Sequence, residues 1–361
     1  MSKPKIIAFY LPQFHPIPEN DEWWGRGFTE WTNVGKARPL FKGHVQPKVP
    51  ADLGYYDLRL PEIREQQVEL AREAGIYGFC YYHYWFGNGK QLLERPFNEV
   101  LESGSPDFPF MLCWANESWL RKQWNSSGKV IDSEVLIDQI YPGIEDIRNH
   151  FYKVLPAFKD SRYIKIDNKP LFMIYSPFLY DERLDFIHEW QRLAKENGIP
   201  EIIFIAQVRT QSERNSIDYI NEGFKYINTE RLREVWYEKK SLITRAFRKC
   251  NHKIFNKFTG AIDYSKACDK FINEEDLEEH YIPTLLPNWD HTPRSGRKGF
   301  VFRNSSPEAF KQHCLKMLDF YKEKPFLFLK SWNEWGEGNY MEPDLKYGKG
   351  YIEALHSVLR D

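Results

Sequence analysis

Residues 326–338 read FLFLKSWNEWGEG, an apolar run that passes directly into Trp, Asn, Glu and Gly. The first five of these residues predict a buried β-strand, and the rest predict a polar turn at its carboxyl end. The same change from a short apolar run to polar and aromatic residues recurs along the chain. Parallel strands whose carboxyl ends meet at one face produce this pattern, and such folds assemble their active sites at that face. The stretch therefore indicates a parallel sheet with a functional site at one end.

Eight short apolar runs alternate with eight longer amphipathic runs. The predicted strands are Lys5–Leu11, Gly78–Tyr84, Phe110–Trp114, Leu171–Tyr175, Ile202–Gln207, Tyr226–Asn228, Ile282–Leu286 and Phe326–Lys330. The predicted helices lie near Glu62–Ala74, Leu92–Ser103, Ile144–Phe158, Glu182–Asn197, Glu213–Glu222, Tyr264–Ile272, Pro307–Lys322 and Tyr351–Leu359. This strict alternation predicts a (β/α)8 TIM barrel. A doubly wound open sheet is the alternative, although its Gly-rich first turn is missing.

Three connections that follow predicted strands are long, namely residues 12–60, 115–142 and 229–263. In a barrel these loops lie at the carboxyl face, where active sites form. No Gly/Ser linker, low-complexity block or internal repeat divides the chain. We therefore predict a single catalytic domain over residues 1–361, with elaborated loops at the carboxyl face of the barrel.

The composition is that of an ordinary globular protein, with 42% hydrophobic and 28% charged residues, except that 16% are aromatic. The formal net charge of −1 gives no overall field that favours nucleic acid. The five cysteines are scattered without any C-x-x-C spacing, and Cys80 and Cys113 lie inside apolar runs, which predicts reduced core residues. The sequence shows neither a signal peptide nor a membrane-spanning apolar stretch, which predicts a cytoplasmic protein.

Polar and aromatic side chains gather at the ends of seven predicted strands. A sugar has an apolar C–H face and a rim of hydroxyls, so a surface that mixes aromatic rings with hydrogen-bonding groups suits it. Each single cluster has an alternative role as a loop anchor, but all of them would meet in one pocket of a barrel. The predicted sugar contacts are Tyr10, Gln13, His15, Tyr82, His83, Trp85, Trp114, Asn116, Glu117, Tyr175, Gln207, Asn288, Trp289, Asp290 and Asn333.

Glu334 and Glu337 follow the last predicted strand and are three residues apart. In a turn or short helix such residues share one face, and Gly336 and Gly338 permit the tight backbone that this requires. Two close carboxyls split their pKa values, so that one can stay protonated while the other ionises. Cleavage of a glycosidic bond needs one protonated and one ionised carboxyl group. The alternative interpretation of the pair is a solvated acidic turn.

Several motifs resemble one known family. FYLPQFH (9–15), WWGRGFTEWTNV (23–34), GFCYYHYW (78–85), WANE (114–117) and NWDHTPR (288–294) resemble the WbsX-like proteins of bacterial surface-polysaccharide clusters. That group is similar to the endo-α-mannosidases of glycoside hydrolase family 99, which are (β/α)8 barrels.

The resemblance implies a role for each acid, with Glu334 as the general base and Glu337 as the general acid. It further implies that the base deprotonates the sugar's own 2-hydroxyl, so that configuration is retained without a covalent enzyme adduct. The hydrolases usually have His where this chain has Gly336, so a mannosidase substrate does not follow. WbsX-like proteins are often labelled glycosyltransferases.

Three other functions are weighed against a glycoside hydrolase-like enzyme. A metal-dependent nucleotide-sugar transferase of O-antigen or capsule biosynthesis typically has an Asp-x-Asp, and this chain has none. A metal hydrolase would need His15, His83, Asp290 and Glu334 to meet, and none shows a metal-binding spacing. A catalytically silent glycan-binding barrel is the third alternative. We expect no cofactor and no metal, an oligosaccharide or polysaccharide substrate, and no nucleic-acid partner.

The stretch 239–258, inside a loop or helical excursion at about 229–263, holds seven Lys or Arg residues and no acidic residue. It predicts either a solvated helical excursion with a packed underside or a basic amphipathic patch on an anionic membrane. The second possibility would place the protein at the inner face of the membrane.

Overall fold

A computed structural model of the chain describes residues 3–124, 130–237, 258 and 260–360. Its centre is a closed barrel of eight parallel strands, which confirms the predicted fold. Each strand pairs with the next along the chain, and the first pairs with both the second and the eighth. The strands β1 to β8 are Lys5–Tyr10, Gly78–Trp85, Phe110–Trp114, Lys169–Ile174, Ile203–Val208, Phe224–Thr229, Tyr281–Leu285 and Phe326–Leu329.

The strand predictions agree with these bounds to within two residues at each end. Strand β2 begins at a glycine for a steric reason, since a Cβ atom on Gly78 would lie 2.6 Å from the carbonyl oxygen of Pro109. Inside the barrel, aromatic rings from adjacent strands stack on one another. The ring centroid of Phe9 lies 5.6 Å from that of Tyr82 and 5.2 Å from that of Phe328. The apolar strand residues therefore fill the barrel rather than leaving a channel.

Helices follow all eight strands. The helices α1 to α8 are Pro61–Ala74, Arg95–Ser103, Ile144–Lys159, Arg183–Glu196, Gln211–Arg214, Tyr264–Cys268, Pro307–Phe320 and Gly350–Arg360. The prediction of a helix over Glu213–Glu222 is wrong, because the chain turns after Arg214. Side chains compete with the helical backbone there: the Ser216 hydroxyl donates to the carbonyl of Glu213 (2.8 Å), and the Asn221 amide donates to the carboxylate of Asp218 (2.7 Å).

Short elements decorate the loops. The loop helices are Pro18–Trp24, Glu30–Lys36, Leu232–Tyr237 and Thr292–Ser295, with 3-10 turns at Pro177–Leu179, Glu274–Leu277, Gly296–Lys298 and Trp335–Glu337. The short strands are Gln91–Leu92, Trp119–Trp124, Val130–Ile137, Lys165–Ile166, Ala261–Asp263, Val301–Arg303, Asn333–Glu334 and Asn339–Tyr340. Several of them build up the carboxyl face, which is where the sequence predicts the site.

Two features from the sequence concern membranes and cysteines. Within the described ranges, no helix has both the length and the apolar character needed to cross a bilayer. The basic stretch 239–258 lies outside the described residues except for Phe258, whose ring stacks on that of Phe41. Among the cysteines that the structure describes, Cys80 and Cys113 are free and buried, as predicted.

Candidate active site

The last strand delivers two glutamates to the carboxyl face. After β8 the chain forms a small antiparallel pair, Asn333–Glu334 with Asn339–Tyr340, around the 3-10 turn Trp335–Glu337. Gly338 ends this turn with φ of 58°, in the left-handed region that favours glycine. The turn directs Glu334 and Glu337 to the same side, because both carboxylates contact one guanidinium group.

That guanidinium belongs to Arg294, in the loop that follows β7. Its Nη1 atom donates to Oε1 of Glu337 at 2.7 Å and to Oε1 of Glu334 at 3.1 Å. The hydroxyl of Ser331 donates to the other oxygen of Glu334 at 3.1 Å. Nε2 of His291 lies 3.5 Å from the same Glu337 oxygen. The two acids therefore share a cation, but Glu337 has the shorter contact and the additional imidazole.

The two carboxyls differ in their protonation. Burial and the negative charge of Glu337 raise the pKa of Glu334 to about 7, although Arg294 and Lys330 act in the opposite direction. Burial alone would also raise the pKa of Glu337. Arg294, the hydrogen bond to His291 and the charge of Lys330 outweigh burial there and hold the pKa of Glu337 below its usual value. In the free protein the pair therefore carries one proton below about pH 7, on Glu334, and one negative charge, on Glu337.

A second acid fixes Arg294 in place. Nε and Nη2 of Arg294 both lie 2.9 Å from Oε2 of Glu30, the first residue of its loop helix. The amide of Asn33 donates to the other oxygen of Glu30 at 3.0 Å. A Cβ atom on Gly336 would lie 1.9 Å from Oε2 of Glu30 and 3.0 Å from Nε of Arg294. Because position 336 is glycine, Glu30 and Arg294 have the space to approach Glu334 and Glu337.

A buried ion pair lies beside the acids, at the ends of β6 and β8. Nζ of Lys330 lies 3.0 Å from Oε2 of Glu230, and both side chains are buried. The amide of Gln207 donates to the same carboxylate at 3.4 Å, and its own oxygen has no hydrogen-bond partner among the described residues. The ammonium group of Lys330 also lies 5.7 Å from the ring centroid of Trp289. The ion pair and Gln207 therefore form a polar part of the lining beside the acids, and the ring of Trp289 forms an aromatic part.

A third cluster links the acid pair to the opposite side of the barrel mouth. Burial and the charge of Glu334 raise the pKa of Tyr82, whose ring lies 5.9 Å from that of Tyr175. The guanidinium of Arg209 lies 4.7 Å from the centroid of Tyr175, and it donates to Glu117 at 2.7 Å. Within the described part of the chain, Nη1 of Arg209 is buried without a hydrogen-bond partner. These rings and polar groups extend the lining that begins at the buried ion pair.

Four predicted contacts turn away from this mouth. The Tyr10 hydroxyl donates to Gln67 on α1 at 2.6 Å, and Trp114 donates to the carbonyl of Trp85 at 2.9 Å. His83 and Trp85 face α3, where Nε2 of His83 lies 2.8 Å from Nε2 of His150 and the Trp85 ring stacks on the same imidazole. The reason is the alternation of side chains along a strand, which sends neighbours to opposite faces.

Other predicted residues anchor loops. His15 is buried against the carbonyl of Pro12 at 3.0 Å, and burial lowers its pKa to about 4. Asn116 exchanges hydrogen bonds with the backbone of Ser176, and Asn333 does the same with that of Leu11.

Three further predicted contacts lie in the loops around the turn. The Asn288 side chain accepts from the amide of Trp289 at 2.7 Å, and the half-buried Gln13 lies in the loop after β1. The Asp290 carboxylate is held by His44 (2.8 Å) and Gln46 (2.6 Å), and its amide donates to the carbonyl of Glu337. The structure thus gives Asn288 and Asp290 loop-supporting contacts beside the acid pair.

Sequence reasoning missed five residues that complete the site. Arg294 and Glu30 lie inside the quoted motifs, but their spacing does not reveal that they meet. Lys330 and Glu230 follow or end apolar runs, where an ionisable residue is itself a signal of a buried partner. Arg209 follows β5 in the same way.

Metal ligation finds no support in the described ranges. No group of three or more His, Cys, Asp and Glu side chains there is arranged to hold a metal ion. His15 and His83 in particular lie away from Glu334, the first against a loop carbonyl and the second against α3.

The closed barrel gathers a buried acid pair, aromatic rings and hydrogen-bonding side chains at its carboxyl face, which is where enzymes of this fold place their active sites. A sequence model of the family described as "Glycosyltransferase WbsX" matches residues 6–355, and the chain belongs to this family. The chain is also 34% identical over 368 residues to the uncharacterized protein WxcX of Xanthomonas campestris pv. campestris, in strains B100 and ATCC 33913. The match covers 98% of this chain but only 49% of WxcX, so the chain spans about half the length of these relatives.

Solved structures share the fold at low sequence identity. A glycoside hydrolase-like protein is 14% identical with a TM-score of 0.61, and the match covers 99% of this chain and 94% of that one. An endo-α-mannosidase of family GH99 from Bacteroides thetaiotaomicron is 14% identical with a TM-score of 0.58, covering 100% and 97% respectively. These likenesses concern the barrel.

Proposed function

We propose that this protein cleaves or transfers glycosyl units of a bacterial surface polysaccharide, with Glu334 and Glu337 as its acid/base pair. The observation that carries the proposal is the shared contact of both carboxylates with Arg294. This contact keeps Glu337 ionised, while burial and the negative charge of Glu337 allow Glu334 to hold a proton up to about pH 7, so the pair offers one acid and one base.

The geometry supports retention of configuration. Because one Arg294 nitrogen lies within 3.1 Å of an oxygen on each carboxylate, these oxygens are at most roughly 6 Å apart. Retaining pairs are separated by about 5–5.5 Å and inverting pairs by about 6.5–9.5 Å, which leaves room for a water molecule. A separation of at most roughly 6 Å between the nearest oxygens leaves little room for the water of an inverting reaction, and participation of the sugar's own 2-hydroxyl would retain configuration without a shorter gap.

The proton on Glu334 and the charge on Glu337 bear on the roles that the family resemblance implies. Those roles require Glu334 to accept the proton of the sugar 2-hydroxyl and Glu337 to donate one to the leaving oxygen. We infer that substrate hydroxyls loosen the shorter of the two Arg294 contacts, the one to Glu337, which raises the pKa of Glu337 more than that of Glu334 and allows the proton to move to Glu337. Glu30 would then hold the displaced guanidinium.

The second candidate function, a glycosyltransferase, is favoured by the family description. The test is a panel of surface polysaccharides and α-mannans, incubated with and without nucleotide-sugars. We expect products without a nucleotide, and turnover that needs a nucleotide-sugar would favour the transferase instead. Saturable glycan binding without products in either condition would favour a catalytically silent barrel.

Location at the inner face of the membrane is part of the same proposal and depends on the basic stretch 239–258. Its seven Lys and Arg residues would bind anionic lipid headgroups more strongly at low salt. A vesicle pull-down tests this idea, and equal retention by neutral and anionic vesicles would exclude electrostatic membrane binding.

A further inference from the structure

A cavity of about 260 Å³ lies behind the turn that carries Glu337. Two contacts form the wall between the cavity and the turn. Nζ of Lys48 donates to the carbonyl of Gly338 at 3.2 Å, and the amide of Asp290 donates to the carbonyl of Glu337 at 2.6 Å. The cavity is therefore separate from the acid pair and adjacent to it.

Five of the side chains that line this cavity are Lys, Arg or His, and we call it the basic pocket. They are Lys42, His44, Lys48, Arg303 and Lys346. His44 accepts from the amide of Leu40 through Nδ1 and contacts Asp290 through Nε2, so its hydrogen lies on Nε2 and the ring is neutral. The remaining four side chains carry positive charge.

The two acidic side chains of the basic pocket already have their hydrogen-bond donors. Asp344 accepts from the hydroxyl of Tyr340 at 2.6 Å and from two backbone amides of the turn that follows it. Asp290 accepts from His44 and Gln46 through one oxygen, and from a threonine through the other. The hydrogen bonds to these two carboxylates therefore come from neutral donors.

The cations differ in their surroundings, because the half-buried Lys48 is stabilised by the charges of Asp290 and Asp344 and the other three are exposed. Across the part of the chain that the structure describes, none of Lys42, Arg303 and Lys346 forms an ion pair. The ammonium group of Lys346 instead lies over an aromatic ring, with Nζ 4.3 Å from the centroid of Tyr347. Four cations against two carboxylates leave the pocket with a net positive charge.

We propose that the basic pocket binds an anionic group, phosphate or carboxylate, that is carried on a sugar. The cations supply charge-assisted hydrogen bonds, which are the strong ones for such groups. The half-buried rings of Phe41 and Tyr347 and the neutral side chains of Asn288 and Ser305 also line the pocket, and they suit the sugar itself. The choice of a sugar rests on the proposed function of the neighbouring acid pair. The ligand is either a sugar phosphate or an acidic sugar of a glycan.

The experiment is a calorimetric titration of the full chain at low and at physiological salt. The probes are glucose 1-phosphate, glucuronate and uncharged glucose. The test variant is Arg303→Gln/Lys346→Gln, and the matched control is Lys311→Gln/Lys322→Gln, which removes two charges outside the pocket. We expect saturable binding of at least one anionic probe, at least about tenfold weaker in the test variant and unchanged in the control.

Preference for glucose 1-phosphate would identify a sugar phosphate, and preference for glucuronate an acidic sugar. The proposal is overturned if wild type binds neither anion at low salt, if glucose binds as tightly as the anions, or if both double variants lose binding equally. Because the titration measures binding without turnover, its failure is distinguishable from failure of the proposed glycosidic function.

Discussion

Replacing Gly336 with alanine adds one methyl group at the most crowded point of the acid cluster. Its carbon would lie 1.9 Å from Oε2 of Glu30, so that contact has to open by more than about 1 Å. Glu30 then withdraws from Arg294, which loses the carboxylate that fixes it. Overpacking of this kind costs about 1–3 kcal/mol, which corresponds to a fall in Tm of roughly 1–4 °C in a chain of 361 residues. Turnover falls as well, because Arg294 no longer sets the protonation of the acid pair.

The assay is thermal unfolding combined with kcat/KM on the glycan that wild type processes. Gly35→Ala is the matched control, because Gly35 is exposed in the same loop helix as Glu30 and the added carbon would meet no described atom within 4 Å. We expect that control to be neutral or stabilising by up to about 1 kcal/mol. A Gly336→Ala protein with the Tm and kcat/KM of wild type would refute the reasoning.

Three more predictions concern the charges of the site. The kcat/KM of the glycan reaction falls as pH rises above about 7, because the acid pair loses its single proton there. Arg294→Met moves this fall in kcat/KM to higher pH. A kcat/KM that stays constant from about pH 6 to 9 would contradict the prediction. The folded pKa of Glu334 is raised, so its contribution to stability is full below the ordinary value of 4.5 and is lost as pH rises through about 7. In urea unfolding, the free energy of unfolding of Glu334→Gln should therefore increase relative to that of wild type as pH rises from about 5 to 8. A difference between the two proteins that does not change with pH would count against the raised pKa of Glu334. Lys330→Met leaves Glu230 charged and buried, which lowers the free energy of unfolding by about 3–5 kcal/mol in the same assay. The double variant Lys330→Met/Glu230→Gln recovers most of this stability. Equal losses of stability in the single and double variants would argue against the ion pair.

The barrel was predictable because its strands are continuous apolar runs bounded by turns. Phe110–Trp114 was predicted to the residue, and even the short run Tyr226–Asn228 marks the middle of β6. The failure at Glu213–Glu222 arose where Ser, Asp and Asn side chains form local hydrogen bonds that the apolar spacing does not reveal.

The acid pair was predictable because Glu334 and Glu337 are close in sequence and follow a strand. Arg294 lies 40 residues before Glu334 in sequence, and Glu30 lies 264 residues before Arg294, so only the closed barrel brings them together. The alternation of side chains along a strand was sufficient to predict that Tyr82 faces one side of β2 and that His83 and Trp85 face the other. The structure places Tyr82 toward the interior and the other two toward α3.

The most direct test of the account is the rate of product formation by wild type, Glu334→Gln and Glu337→Gln on one polysaccharide, with the anomeric configuration of the first product followed by NMR. Loss of a general acid or base typically costs about 10²–10⁴-fold in rate. We predict a loss of about that size in each variant and a wild-type product that retains configuration. Product formation by both variants at the wild-type rate would contradict the assignment of Glu334 and Glu337.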